Sequence, residues 1–268
     1  MFRTRQFSIT ALPGFAVVAV ATFILLYLPI ITLVIFSFNK GESISDWQGL
    51  SLHWYAVAWE NEQVRKAAVT TLVIATLAAV FSTILATMAA LGTTRRAKFN
   101  GQTWIYVAIN QPLMVPEIVT AVALLIFFAM VKKATGYSGL GYMVLAHTAF
   151  CIPFAYLPIR ARLESMDLTL ETAAGDLYAS PWQTFRHVTL PLVLPGVMAG
   201  AMLAFVTSLD TVVITEFIKS PGQDTLPTYM LGQLRRAMKP DVNAISTVLL
   251  AITLLMLCAF FLVSRKRD

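Results

Sequence analysis

The sequence predicts an all-α, polytopic membrane protein with six transmembrane helices, and three observations carry that prediction: composition, the length of the apolar segments and the placement of charge. Of 268 residues, 57% are hydrophobic and 13% charged, with a mean hydropathy of +0.72. A soluble domain of this size could not bury so much apolar surface, so the bilayer is the solvent. At ~20 residues per span with short connections, the length holds about six spans and leaves no room for a second catalytic domain. A net charge of +6 would suggest nucleic acid in a soluble protein. Here Lys and Arg gather beside apolar segments and at both ends, a pattern of membrane topology and headgroup contact, so the lipid bilayer is the expected partner and nucleic acid is not.

The first apolar stretch, Ala11–Phe38, follows Arg3 and Arg5. It is too long for a signal-peptide core and lacks a small-residue cleavage pattern, so it reads as an uncleaved span. The loop Asn39–Lys66 carries Trp47, Trp54, Tyr55 and Trp59, suited either to an interfacial amphipathic helix or to a simple aromatic belt. The remaining spans are expected at Ala67–Gly92, Trp104–Val131, Leu140–Leu157, Leu192–Phe217 and Ala244–Val263. Six spans put both ends on one side. With the ends inside, Arg3, Arg5, Arg95, Arg96, Lys98, Arg160, Arg162, Arg186, Arg265, Lys266 and Arg267 face the cytoplasm, 11 of the 20 Lys and Arg residues. Locally the contrast is sharper: Thr93–Gln102 has three bases and no acid, while the first outer loop carries Glu42, Asp46, Glu60 and Glu62. Both termini are therefore expected in the cytoplasm. The domain reading is residues 1–66, a helix plus outer loop, and residues 67–268, a core with a cytoplasmic loop at 160–191. Cys151 and Cys258 sit in apolar stretches without metal-binding neighbours and read as small buried residues.

The polar break Arg160–Pro191 is long enough for two short helices and a turn. Asp167 or Thr169 can cap the first, and Ser180-Pro181 is a sound N-cap and N1 pair for the second. Leu168, Leu170, Leu177, Trp182 and Phe185 have nothing in the loop itself to cover them. A cytosolic partner surface is the natural receiver, packing beneath the bundle the alternative.

The run Glu171-Thr-Ala-Ala-Gly-Asp-Leu-Tyr-Ala-Ser-Pro-Trp-Gln-Thr-Phe-Arg-His-Val-Thr-Leu-Pro191 resembles the EAA loop of ABC importer permeases. That pattern is Glu-Ala-Ala, three residues, Gly, nine residues, Ile, one residue, Leu-Pro. Its alanines fall on Ala173 and Ala174, its hydrophobic position on Val188 and its ending on Leu190-Pro191. Two positions depart: the family Glu falls on Thr172, one after Glu171, and the family Gly falls on Tyr178. The Tyr implies either a different turn or a partner cleft shaped to accept the ring. The resemblance implies that Glu171, Thr172, Ala173, Ala174, Asp176, Tyr178, Ala179, Ser180, Leu190 and Pro191 couple this chain to an ATPase.

Further segments extend the resemblance over nearly the whole chain, and it is closest to the smaller permease of spermidine/putrescine-type importers. They are Leu28-Pro-Ile through Phe36-Ser-Phe-Asn39, Pro112-Leu-Met-Val-Pro-Glu117, Leu145-Ala-His-Thr-Ala-Phe-Cys151, and Ser208-Leu-Asp210 leading to Ser220-Pro-Gly and Thr225-Leu-Pro227. It implies the type I importer fold and one half of a translocation path in a bacterial inner membrane. It also implies a second permease subunit, as a heterodimer, two ATPase subunits holding ATP and Mg, and a periplasmic solute-binding protein. No cofactor belongs to this chain. The polyamine-type pattern has a second acid after Ser-Leu-Asp where Thr211 stands here. A polyamine or related cationic amine is the expected solute, and an amino acid, opine or phosphonate the alternative.

Glu117, Asp210 and Glu216 lie in or beside apolar segments. An ionised group at the bilayer centre costs about 2.5 to 3.5 kcal/mol, so each should face a cavity or a partner. Asp210, deep in the fifth span behind Ser208 and beside Thr211, is the leading substrate contact. Pro112 and Pro116 are expected to bend the third span beside Glu117, where transporters build sites. Glu216 is a third candidate, with interfacial solvation as its plain alternative. His147 reads as a neutral histidine hydrogen-bonded between helices. The stretch Lys219–Asp241, with Arg235, Arg236 and Lys239, suits either a binding-protein contact or a re-entrant loop. No metalloprotease, nucleophile-elbow or Walker motif is present, so no catalytic or metal residue is expected. An ion-coupled secondary transporter would show internal repeats over a longer chain, and none is convincing here.

Overall fold

Residues 14–42, 46–95, 99–236 and 240–265 are described by the structure, a computed structural model. Arg3, Arg5, Arg96, Lys98, Lys239, Lys266 and Arg267, which enter the charge reading, lie outside them. The helices in chain order are α1 (Phe15–Phe36), α2 (His53–Glu60), α3 (Glu62–Thr94), α4 (Gln102–Met114), α5 (Glu117–Thr135) and α6 (Leu140–Ser165). There follow α7 (Thr169–Asp176), α8 (Pro181–Thr184), a π-helical turn at Phe185–Thr189, α9 (Leu190–Asp210), α10 (Val213–Ile218), α11 (Leu226–Arg236) and α12 (Asp241–Arg265). Among the described residues, six helical stretches are long and apolar enough to cross a membrane.

Four boundaries differ from expectation, each for a local reason. The third span is not one bent helix. Val115 is driven into an extended conformation (ψ 135°) by the ring of Pro116, so α4 stops and α5 restarts at Glu117. The second span begins early, at Glu62, where Lys66 pairs with Glu62 at 2.7 Å one turn on. The polar break is shorter than 160–191, because Arg160 stays helical, pairing with Glu164 at 2.7 Å and lying 4.3 Å over the Tyr106 ring. Helix resumes at Pro181. The π-turn precedes Pro191, whose ring would clash with the His187 carbonyl of a regular α-turn. The fifth span ends at Asp210, and its outer part is the separate helix α10.

The chain forms two units. In one, Glu62–Gly232 with Ile252–Asp268, α3, α6 and α9 share a core of Ala75, Ala86, Ala90, Cys151, Ala155, Tyr156, Ile159, Val193, Ala204 and Leu209. In lipid, apolar surface gives helices no reason to associate, so small side chains that let backbones approach do the work. A Cβ added to Gly200 would sit 2.6 Å from the Ala155 carbonyl, and one added to Gly196 2.7 Å from Arg162 Cβ. A second cluster joins Ala121 and Phe128 of α5, Tyr142, Met143 and Ala146 of α6, and Ile214 and Ile218 of α10. Here α11 opens on buried Leu226, whose N–H donates to Thr71 Oγ1 of α3 at 2.8 Å.

The other unit, Met1–Asn61 with Gln233–Ala251, holds α1, whose residues are almost all exposed, and a short outer loop. Asn39 staples that loop. Its Nδ2 donates to the Asp46 carbonyl at 2.8 Å, and its Oδ1 accepts the Gln48 N–H at 2.8 Å. Trp59 is exposed and Trp54 donates to the Gly41 carbonyl.

Candidate functional site

Two helix breaks and the polar loop between α6 and α9 hold the residues with chemistry. At the first break α9 ends on Asp210, Thr211 turns extended (ψ 108°), and α10 begins at Val213. Asp210 is exposed and, among the described residues, enters none of the ion pairs. A carboxylate at a helix C-terminus meets the negative end of the helix dipole and the last, undonated carbonyls, so the spot concentrates negative charge and favours a cation. Ser208 and Thr211 are buried and their hydroxyls are engaged. Thr211 Oγ1 donates to the Thr207 carbonyl at 2.7 Å, and Ser208 Oγ lies 2.8 Å from His147 Nδ1. His147 Nε2 lies 2.9 Å from Thr215 Oγ1 in α10, so one imidazole touches both sides of the break.

At the second break Glu117 opens α5 behind Pro116. It is half-buried, and its Oε1 is buried without a hydrogen-bond partner, as is the nearby Thr120 Oγ1. A helix N-terminus eases a carboxylate there, the reverse of the situation at Asp210. Glu216 is engaged: Lys219 Nζ lies 2.7 Å from its Oε2 and 2.7 Å from Asp224 Oδ1. Partial burial disfavours the Lys219 ammonium, but hydrogen bonds to Asp224 and Glu216 outweigh it and hold its pKa above the usual lysine value. A groove of about 580 Å³ runs between Thr83 of α3, Met202 and Phe205 of α9, and Met256 of α12. Its walls are apolar, and none of the three acids lines it. Among the described residues no cluster of His, Cys, Asp and Glu could hold a metal ion. Cys151 is buried, its thiol 3.4 Å from the Ala204 carbonyl, whereas Cys258 is exposed rather than buried.

In the loop, Leu168 and not Asp167 or Thr169 is the N-cap of the first helix, α7, while Asp167 Oδ1 just before it accepts the Thr169 N–H at 2.9 Å, which holds its pKa below the usual aspartate value. Ser180 caps the second in a reciprocal box with Gln183, as its sequence foretold. Glu171 faces inward. Its Oε1 accepts Arg95 Nε and Thr189 Oγ1, each at 3.0 Å, while Arg95 Nη1 reaches the Leu163 carbonyl at 3.1 Å. Thr172, Ala173, Asp176, Ser180 and Pro191 are exposed, and Ala174, Ala179 and Leu190 are partly so. Tyr178 occupies a left-handed conformation (φ 60°) with 97% of its surface exposed, beside Leu177, also exposed. The turn that a glycine would make is kept, and the ring stands clear of it. Leu168, Leu170 and Trp182 are also exposed.

Sequence reasoning read His147 as hydrogen-bonded between helices, as it is, but foresaw neither the Arg95 tether nor the Gly196/Gly200 contact. A small-xxx-small spacing at 196–200 signalled the second. The Arg95 tether joins residues 76 positions apart and leaves no local trace.

Comparison with known proteins bears on all of this. The family described as binding-protein-dependent transport system inner membrane component matches residues 82–266. The putrescine transport system permease protein PotI of Escherichia coli (strain K12) is 34% identical over 257 residues, covering 94% of this chain and 92% of PotI. The spermidine/putrescine transport system permease protein PotC of the same strain is 33% identical over 247 residues, covering 92% of each. Among solved structures, a chain of the bacterial alginate ABC transporter, in complex with alginate pentasaccharide-bound periplasmic protein, superposes with a TM-score of 0.73. It covers 94% of this chain and 93% of its own length at 16% identity, a likeness of fold.

Proposed function

The chain belongs to the binding-protein-dependent inner-membrane transport component family, and from that premise we propose that it forms half of the inner-membrane path through which a polyamine is imported. The chain is a multi-pass permease subunit with the type I importer fold. The motor is a pair of ATPase subunits that bind ATP and Mg, the other half of the path is a second, different permease, and a periplasmic protein delivers the solute. Both termini lie in the cytoplasm.

The observation that carries the substrate class is Asp210, an exposed carboxylate at the negative end of a broken helix. Putrescine and spermidine carry an ammonium at each end, and such a group neutralises this spot without the protein supplying a base of its own. That both PotI and PotC are named for putrescine supports the same class. Glu117 is the second contact, its Oε1 buried without a hydrogen-bond partner. Glu216 is held by Lys219 and drops out, while Ser208 and Thr211 shape the break instead of touching the solute. On the cytoplasmic side, Tyr178, Leu177, Trp182 and Ala173 form the surface that enters an ATPase cleft. Glu171 stays behind and fixes the loop to α3.

Uptake of labelled putrescine into proteoliposomes holding the assembled importer tests the reading. We expect uptake that requires ATP and the binding protein, and that spermidine suppresses while glutamate and methylphosphonate do not. Suppression by the amino acid or the phosphonate with indifference to spermidine would overturn the substrate class.

A further inference from the structure

We infer that His147 is a positioning residue for transport, a neutral pin that joins the two halves of the broken fifth span and thereby fixes the Asp210 carboxylate. The inference rests on the reading of Asp210 as a substrate contact.

The hydrogen-bond pattern determines the protons. Thr215 Oγ1 lies 2.8 Å from the Thr211 carbonyl, which can only accept, so the single Thr215 hydroxyl proton is spent there. The Thr215 oxygen must then accept from His147 Nε2–H, 2.9 Å away. With its proton on Nε2, a neutral imidazole has a lone pair on Nδ1, and this accepts from the Ser208 hydroxyl at 2.8 Å. A cationic imidazolium would be a buried charge, and among the described residues no carboxylate pairs with it. His147 is 1% exposed, Ser208 3% and Thr215 0%, so water does not compete for these bonds.

The geometry gives the pin a purpose. Asp210 and the extended residue Thr211 lie between the two hydroxyls in sequence, so the pinned points bracket the break. Each half is otherwise held in a different cluster: Ala204, Phe205 and Leu209 pack with α3 and α6, while Ile214 and Ile218 pack with α5, α6 and Ile74 of α3. Two segments packed in different clusters and joined by a short extended link are held less closely at the joint itself without a cross-tie. An imidazole offers one donor and one acceptor on opposite edges of a rigid ring, which is what a tie between two hydroxyls demands. The same division of cores means that cutting the tie leaves both halves folded, and the defect appears at Asp210.

A double-mutant cycle on the reconstituted importer, reading putrescine uptake per ATP hydrolysed, tests this. His147→Leu should lower the ratio about tenfold, as Asp210→Asn does, and the double variant should be no worse than Asp210→Asn alone. His147→Gln, whose amide can donate to Thr215 and accept from Ser208, should stay within about twofold of wild type. Ser208→Ala removes one arm of the tie without touching α6, and it serves in the same cycle should His147→Leu fail to assemble. Normal uptake in both His147→Leu and Ser208→Ala, or losses that multiply with that of Asp210→Asn, would overturn the positioning role alone. An unimpaired Asp210→Asn would overturn the reading of Asp210 and the positioning with it.

Discussion

Tyr178 sits at φ 60°, where a side chain costs about 1 kcal/mol that a glycine avoids, yet none of the described residues covers its ring. Strain held without an internal contact points to a contact elsewhere. Tyr178→Gly should therefore raise the thermal stability of the purified subunit, by about 1 kcal/mol, while lowering uptake per ATP in the assembled importer. A stability gain with unchanged coupling would make the ring an ornament of the turn. Glu171 is the opposite kind of residue. It is about one-fifth exposed and accepts from Arg95 and Thr189 together. Removing it strands a guanidinium whose other bond goes to the Leu163 carbonyl, so Glu171→Ala should cost about 1 to 2 kcal/mol of stability. Limited proteolysis at 166–180 should rise with it. The family pattern puts its glutamate one position later, on Thr172, which is exposed. That register was legible in the sequence, but the inward direction of Glu171 was not, because Arg95 lies 76 residues away.

At the scale of elements, the breaks in the spans matter more than the spans. The first was readable, because Pro116 forbids helix at Val115 and the acid follows at once. The second was not. No Gly or Pro marks Thr211-Val-Val-Ile-Thr215, and the apolar run reads straight through it. What ends α9 there is a β-branched stretch whose Thr hydroxyls bond back to the carbonyls of Thr207 and Thr211, a competition that hydropathy does not register. The polar loop was overdrawn for the converse reason. Arg160 and Glu164 look like loop polarity, whereas they are a helical pair one turn apart. Close packing of α9 on α6 makes the sharpest prediction at this scale. Gly200→Leu has no room beside the Ala155 carbonyl and must push the helices apart, at a cost of about 1 to 3 kcal/mol. Thermal unfolding in detergent should show it, and an unshifted midpoint would mean that the helices are not in contact there.

At the scale of the whole molecule, nearly every described residue of α1 is exposed, and a polar loop leaves apolar side chains uncovered. Such a chain is one member of an assembly, with lipid and partner subunits covering what it leaves bare. Purified alone it should hydrolyse no ATP, and hydrolysis should appear once the ATPase subunits are added. Hydrolysis by this chain in their absence would contradict the division of labour. An acid at the end of a broken helix, in no ion pair among the described residues, is proposed to guide a cationic solute through the membrane, and Asp210→Asn tests this most directly. In proteoliposomes containing the complete importer, this variant should assemble and hydrolyse ATP normally while putrescine uptake falls about tenfold, one lost charge-assisted contact. Putrescine uptake at the wild-type rate in that variant would contradict the account.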